Sequence, residues 1–455
     1  MIKKVSLTAS VLICLSFFFL RNIHADEISD MKTQLKAMQQ AMDEQARQMK
    51  IMQGKIDKME VDRLAAGQTV SAPETPPPSS VPLKAYWKNG LYLQSPDENF
   101  DMKIGGRLML DGAVMREDAA VKDAFGDLNA DVEVRRLRLY VSGDIHKDYI
   151  YKLQLDFAGG NAALRDAYIG MQNVPYLGTI RVGQYTEPIS LENLTSSNYI
   201  TFMERDLPQE ALVPHRNDGI SFLSNLFNER ATLSAGAFLN ADDYGRVTSP
   251  NVNLTGRFTA LPWYEENGAK LLHLGVAYSY RSAKEARYHG NPEAHLVPDF
   301  VDTGTIAVDH VNIIGLESAL IYGPFSLQGE FIENFVDETE GPSNTHFEGA
   351  YIQASYFLTG EHRNYEKDIA QFSGVKLLKN FSIKDRTFGA FEIAARYSYT
   401  DLDDNDIKGG ILNNTTLGIN WYLNPNMRVM INYVHAHPNG KGNADIGMMR
   451  FQLNF

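Results

Sequence analysis

The sequence predicts an all-β fold, a transmembrane antiparallel β-barrel of about 16 strands preceded by an N-terminal helical coiled coil. Residues 131–157 alternate with a period of two, which places Leu137 on one face of a strand and Arg136 and Arg138 on the other. The last strand alternates in the same way and ends in Phe455. Strands with one apolar and one polar face are typical of a barrel that has lipid outside and water inside.

The composition is compatible with this fold. The 455 residues carry a formal net charge of −13 and a mean hydropathy of −0.28, and a transmembrane barrel shares such values with soluble proteins because only every second strand residue faces lipid. Residues 1–25 are predicted to be a secretory signal peptide, with two lysines, an apolar run and a small residue at its end. The only cysteine, Cys14, lies in that run. We therefore expect an exported chain without disulfides, located in the Gram-negative envelope.

Residues 26–66 follow a heptad pattern that predicts a periplasmic coiled coil. Self-association is the favoured interpretation, and an amphipathic helix lying on another surface is the alternative. A homotrimer would match the predicted barrel, although the seam residues do not fix how many helices associate. Residues 67–85 form a proline-rich linker, and residues 86–455 are predicted to be the barrel. The apolar positions of the heptads are Ile28, Leu35, Met42, Met49 and Ile56 in one series and Met31, Met38, Met52 and Met59 in the other.

The barrel region alternates between short turns and longer polar segments, as outer-membrane barrels do at their periplasmic and external ends. With the N-terminus in the periplasm, about sixteen strands return Phe455 to the periplasmic face. Residues 359–385 fit this scheme poorly: they are either a long periplasmic excursion or two further strands, which would make eighteen. The predicted short turns are 146–147, 173–178, 225–229, 323–324 and 424–426, and the predicted external loops are 116–130, 186–217, 240–251, 282–309, 336–346, 401–410 and 437–444.

Alternation also predicts which charged residues face the lumen. A basic residue facing lipid at mid-depth would cost about 2–4 kcal/mol, so an inward position is favoured. Clustered cations in a channel concentrate anions. Glu317 and Glu330 are predicted to lie on the opposite wall, which would segregate acid from base. In the alternative interpretation Asp111, Asp144, Asp156 and Asp166 neutralise the basic residues. The predicted anion pathway comprises Lys103, Arg107, Arg136, Arg138, Lys152, Arg181, Arg396 and Arg450, with Arg428 nearby.

The third external segment, residues 186–217, is long for a simple hairpin. Porins fold such a loop into the barrel, so this segment is predicted to form the constriction; an external lid is the alternative. The candidate residues at the narrowest point are Glu187, Glu192, Glu204, Arg205 and Arg216.

Several sequence blocks occur in order after the linker: GGRLMLDG at 105–112, VRRLRLYVSG at 134–143, LRDAYIG at 164–170, RVGQYTEPISLENLTSSNYITFMER at 181–205, LTGEHRNY at 358–365 and LGINWYLNPNMRVMINYV at 417–434. Together they resemble the phosphate-selective porin O and P family. The resemblance implies a sixteen-stranded trimeric outer-membrane barrel, a constriction loop with basic residues, and an arginine ladder that Arg107, Arg136, Arg138 and Arg181 can supply. One departure matters: no lysine lies between Gly183 and Asp218, so general anion passage is expected rather than strict phosphate specificity.

The predicted function is therefore passive diffusion of small anions, with phosphate or polyphosphate favoured, through a homotrimeric porin surrounded by outer-membrane lipid. The alternative is a structural or adhesive barrel whose coiled coil tethers the envelope, for instance by contacting peptidoglycan. Enzymatic activity is not expected, because no hydrolase, nucleotide-binding or metalloprotease motif occurs. No cofactor and no nucleic-acid partner are expected. His435 and His437 share a strand face, but two ligands without a third do not predict a metal site.

Overall fold

The computed structural model describes residues 83–341 and 343–455, together with residues 36, 47, 50, 51, 54, 55 and 58. The chain divides into two compact units, Met1–Ser80 and Val81–Phe455. The seven described positions of the first unit are helical and exposed. The signal peptide, the seam of the predicted coiled coil and most of the linker lie outside the described residues. No helix within the described ranges is both long and apolar enough to cross a membrane.

Sixteen long strands form the barrel, each antiparallel to its neighbours. They are numbered in chain order: β1 Phe100–Glu117, β2 Asp131–Ile145, β3 Tyr149–Asp156, β4 Ala163–Val174, β5 Gly178–Thr186, β6 Arg216–Leu226, β7 Ala231–Ala241, β8 Val247–Glu265, β9 Lys270–Ser282, β10 Ile306–Tyr322, β11 Phe325–Glu338, β12 Ser343–Phe357, β13 Ala390–Asp404, β14 Ile407–Asn424, β15 Met427–Pro438 and β16 Ala444–Asn454.

The barrel closes where β16 pairs with β1, from Ala444 opposite Glu117 to Asn454 opposite Arg107. The eighteen-strand alternative is wrong, because the segment between β12 and β13 adds no strand to the wall. It forms two small hairpin-like pairs instead, Asn364–Glu366 with Gln371–Ser373 and Phe381–Ser382 with Thr387–Phe388. The predicted long excursion at this end of the barrel is therefore present. We call residues 358–389 the inner segment.

The side chains have the orientation that alternation predicts. On β2, Leu139 is 51% exposed on the outer wall, whereas Arg136 and Arg138 are buried inside. On β16, Phe451 is exposed and Arg450 is fully buried. Apolar side chains in contact with lipid and guanidinium groups in the interior are the arrangement of a transmembrane barrel.

One irregularity in β2 changes the inventory of inward charges. Met109 of β1 lies opposite Arg136, but Leu110 lies opposite Val134, so Arg135 is an extra residue on β2. This β-bulge turns Arg135 as well as Arg136 toward the interior. Strict alternation places Arg135 outside, and the structure differs because a bulge shifts the period by one residue.

A short hairpin, Lys84–Trp87 with Leu91–Gln94, precedes the barrel. Its second strand pairs with the start of β1, next to the end of β16. The amide of Phe455 donates to the Gly106 carbonyl at 3.0 Å, and the Gly106 amide donates to the Phe455 carbonyl at 2.8 Å. Trp87 stacks on the Phe455 ring with 6.3 Å between centroids. The hairpin thus covers the carboxyl end of the last strand.

Connections fill much of the interior. Residues 187–215, which we call the constriction loop, and residues 283–305 contribute Leu207, Leu212 and Phe300 to a buried apolar cluster. The outer halves of β10 to β16 supply its other side, including Val336 and Val434. A second apolar cluster joins the inner segment to the opposite ends of β8 to β10. The loops therefore pack against one side of the barrel and leave the β1–β6 side to polar groups.

Candidate functional site

A cavity of about 200 Å³ lies between β1–β6 and the constriction loop. Strand residues form one wall, residues 193–197 of the constriction loop form the other, and Gln371 of the inner segment closes the side between them. Asp166 is the one carboxylate in its lining. Six cationic side chains line the cavity: Arg107, Arg138, Lys152, Arg181, Arg205 and Arg216.

Several hydrogen-bond donors of this cavity have no partner among the described residues. They are Nε of Arg107, Nε of Arg181 and the side-chain amide nitrogen of Gln154, all buried. Arg107 makes one hydrogen bond, from Nη1 to the Ser197 hydroxyl at 2.5 Å, and takes part in no ion pair with the described carboxylates. Since unpaired buried donors are costly, this cavity suits a ligand that only accepts hydrogen bonds, such as an anion.

Three of the cations have carboxylate partners on nearby strands. Nε of Arg138 donates to Asp156 at 2.6 Å. Asp166 contacts Nζ of Lys152 at 2.6 Å and Nε of Arg216 at 2.8 Å. The neutralising pairs considered from sequence therefore exist in part, but one carboxylate serves two cations, and the cavity keeps an excess of positive charge.

Basic side chains continue from the cavity toward the end of the barrel that carries the short turns. Nζ of Lys103 lies 5.7 Å from the ring centroid of Tyr92 and 5.5 Å from that of Tyr140, and Nζ of Lys152 lies 5.8 Å from the Tyr140 ring. Tyr92 belongs to the hairpin that precedes the barrel. Tyrosine faces thus hold the lysines in place by cation–π contacts without cancelling their charge.

The constriction loop lies inside the barrel, as predicted, and its acidic residues attach it to the wall. Glu187 accepts hydrogen bonds from Arg281 at 3.0 Å and from the Asn217 amide at 2.5 Å. The Glu192 carboxylate accepts a hydrogen bond from the side-chain amide of Gln328 on β11 at 3.0 Å, and the Glu192 backbone amide donates to Glu330 on the same strand at 2.8 Å. These carboxylates fix the loop rather than face the cavity.

Glu204 occupies the centre of a cluster of arginines. It accepts hydrogen bonds from Arg135 at 2.9 and 3.0 Å, from Arg136 at 3.2 Å and from Arg450 at 2.6 Å. Arg450 is also paired with Asp111 at 2.6 Å. Burial by itself would raise the pKa of Glu204, but the three guanidinium groups hold that pKa well below its ordinary value.

Two basic residues, one in the constriction loop and one directly after it, also line the cavity. Arg205 donates to the backbone carbonyls of Glu192 at 3.1 Å and Thr195 at 2.9 Å, so it braces the loop while it lines the cavity. Arg216, at the start of β6, lines the same cavity. The loop therefore presents Arg205 and the uncharged residues 193–197 to this space, and not the predicted glutamates.

The opposite wall differs from the prediction of segregated acid. Glu317 faces inward but contacts Arg257 at 2.7 Å and His273 at 3.0 Å. Arg396 faces inward but is enclosed by Glu293 at 2.6 Å. Arg428 donates to the Ile200 carbonyl at 2.9 Å. Charges on this side are paired with each other or with the inserted loops.

Of the predicted pathway residues, Arg107, Arg138, Lys152 and Arg181 line the cavity, and Lys103 lies on the same side of the barrel. Arg136, Arg396 and Arg450 lie inside but are enclosed in ion pairs. Sequence reasoning missed Arg135, because alternation does not reveal a bulge. It also missed Gln371, because nothing in a local pattern shows that a connection folds back into the barrel.

A closed barrel with an apolar outer wall, inserted loops and a basic internal cavity defines an outer-membrane porin. The family model described as "Phosphate-selective porin O and P" matches residues 102–455. The chain belongs to this family and is an outer-membrane anion porin.

Two relatives are similar over most of their length. Porin O of Pseudomonas aeruginosa is 26% identical over 417 residues, covering 81% of this chain and 91% of that protein. An uncharacterized protein of Caulobacter vibrioides is 27% identical over 426 residues, covering 90% of this chain and 83% of that protein. Among solved structures, a loop-deletion mutant of OmpT from Vibrio cholerae has a TM-score of 0.51 at 10% identity and covers 78% of this chain and 100% of its own. The last likeness concerns the fold alone.

Proposed function

We propose that anions cross this porin by passive diffusion along the β1–β5 side of the barrel and pause in the basic cavity. The observation that carries the proposal is the lining itself: six cationic side chains against one carboxylate, with buried donors that lack acceptors. Cations that cluster in a confined space, next to loops that exclude water, raise the local concentration of anions. Lys103, Arg107, Arg138, Lys152 and Arg181 carry the pathway, and Arg205 and Arg216 narrow it.

Phosphate or polyphosphate is the proposed solute. Guanidinium groups offer paired N–H donors that match phosphate oxygens. Five of the six cations that line the cavity are arginines, and four of these five lie on the strands of the wall. The family description, phosphate-selective porin O and P, agrees with this class of solute. The absence of lysine from the constriction loop leads us to propose that chloride and other small anions also pass.

We further propose that the barrel assembles as a homotrimer in outer-membrane lipid. The heptads of residues 26–66 would associate in the periplasm, where they could contact peptidoglycan. Crosslinking of the detergent-solubilised porin, with and without residues 26–66, tests this assembly. A barrel that is monomeric in both forms would contradict it.

Planar-bilayer recording tests the proposed transport. In a potassium chloride gradient, the reversal potential is expected to show anion preference, and added phosphate is expected to reduce the chloride current as it occupies the cavity. A cation-selective channel, or chloride current that phosphate leaves unchanged, would contradict the proposal.

A structural barrel is the second candidate. The observation that favours it is the apolar cluster formed by residues 187–215 and 283–305 in the outer half of the barrel, which narrows the route through the interior. The same recordings separate the two functions, because a purely structural barrel is electrically silent.

A further inference from the structure

The outer wall of β10–β12 carries an unusual charge distribution. Residues 288–362, which include these three strands, contain no lysine or arginine. Four acidic side chains nevertheless point outward near the ends of these strands that carry the external loops: Asp309, Glu333, Asp337 and Glu348. Permanent positive charge is therefore not available within these strands to balance them.

Strand register brings some of these acids directly together. Glu333 of β11 lies opposite Glu348 of β12, and Glu348 lies opposite Asp401 of β13. Like charges at directly opposite positions destabilise a sheet. The acidic row is therefore a place where a bound cation would relieve repulsion.

Beside this row, three side chains of two strands converge. Val308 and Val311 of β10 are both buried, and a register shift after Val308 puts Asp309 and His310 together on the outer wall. Asp337 of β11 lies directly opposite His310. Two aspartates and one histidine thus meet at the outer surface, with one ligand atom of each within 4.8 Å of the others.

The distances resemble the edges of a metal coordination sphere. Nδ1 of His310 lies 3.2 Å from an Asp309 oxygen and 3.5 Å from an Asp337 oxygen. In a tetrahedral zinc site with bonds of about 2.0–2.2 Å, neighbouring ligand atoms are about 3.3–3.6 Å apart. A single N–H cannot serve both carboxylates well, whereas one ion between the three groups would bind all of them.

We propose that Asp309, His310 and Asp337 form a site for a divalent transition-metal ion of the zinc class on the outer rim of the barrel. The imidazole favours such an ion over magnesium or calcium, which prefer oxygen ligands throughout. Three protein ligands leave a fourth position open toward the surroundings, as in zinc sites that accept an exogenous ligand. The neighbouring row of Glu333, Glu348 and Asp401 adds negative potential that attracts the cation.

Zinc titration of the full-length porin, folded in detergent, tests the site. One zinc ion per chain is expected to bind, and Asp337→Asn and His310→Ala are each expected to weaken binding at least tenfold, since each removes a ligand. His435→Ala is the matched control. His435 pairs with Asp445 at 2.8 Å on the same outer wall, but no third metal ligand completes that pair among the described residues.

Folding and transport are measured in the same samples. Heat-modifiable migration on gels establishes that each variant forms the barrel, and an unchanged reversal potential separates the outer site from the anion pathway. Zinc binding that survives in Asp337→Asn, or that falls equally in His435→Ala, would overturn the assignment. So would a folded wild-type porin that binds no zinc.

Discussion

Replacement of Arg107 by glutamine is the most direct test of the cavity. Arg107 projects from β1 into the cavity and is buried, and its guanidinium contacts a serine hydroxyl rather than a carboxylate. Its charge therefore acts on a solute without an intervening counter-charge. Glutamine keeps most of the side-chain length and a hydrogen-bond donor, so the substitution removes mainly the charge.

The size of the effect follows from Coulomb's law. A unit charge about 5 Å from a monovalent anion contributes about 0.8 kcal/mol if the cavity behaves like bulk water and about 3 kcal/mol at an effective dielectric constant of about 20. Since about 1.4 kcal/mol corresponds to a tenfold change in affinity, Arg107→Gln is expected to weaken phosphate binding by about fourfold to about 200-fold. The upper part of this range applies if the loops exclude most of the water.

Phosphate titration of the chloride current in planar bilayers measures this affinity, and the reversal potential in a salt gradient measures selectivity. Arg136→Gln is the matched control, because Arg136 lies two residues before Arg138 on β2, outside the cavity lining and in contact with Glu204 at 3.2 Å. Half-inhibition is expected to shift much more in Arg107→Gln than in Arg136→Gln. Equal shifts, or an unchanged concentration of half-inhibition in Arg107→Gln, would refute the assignment of the pathway to this cavity.

Three further predictions follow from the same geometry. Glu204→Gln removes the carboxylate that three arginines share, so anion selectivity is expected to rise. Because the pKa of Glu204 is held below its ordinary value, acidification of the wild type from pH 7 to about 5 should leave this carboxylate ionised. A rise in anion selectivity over that pH range in the wild type, but not in Glu204→Gln, would contradict the expected ionisation. Leu139→Arg places a charge on the lipid-facing wall and is expected to cost about 2–4 kcal/mol in folding free energy into bilayers if the position is near mid-depth, whereas a neutral result would argue against the outward orientation. Gly183→Ala is expected to lower the free energy of unfolding by about 1–3 kcal/mol, since Gly183 has φ of +133° and a Cβ there would lie 2.2 Å from the Ala167 carbonyl oxygen. Urea unfolding measures this loss, with Gly112→Ala as the control, because the atom closest to a Cβ at Gly112 would be 3.5 Å away.

The barrel wall could be predicted from sequence because it depends on local patterns. Alternation assigned Leu137 and Arg138 to their faces, and the spacing of turns gave sixteen strands with Phe455 at the end that carries the short turns. The interior could not be predicted in the same way. The partners of Glu330 and Arg396 and the position of Gln371 depend on loops distant in sequence. The extra inward Arg135 depends on a bulge that two adjacent strands create together.

The acidic composition of the chain and its anion pathway are reconciled by where the acids lie. Glu187, Glu204 and Glu293 belong to inserted loops, and each is paired with arginines of the wall. A buried carboxylate without such a partner would be costly. The ion pairs of Glu187 and Glu293 attach the loops to the β8–β16 side of the barrel, and that of Glu204 attaches the constriction loop to β2. The cations that line the cavity are opposed by fewer carboxylates, so positive charge remains along the proposed anion pathway. We therefore expect local pairing, and not the net charge of −13, to determine which ions this barrel favours.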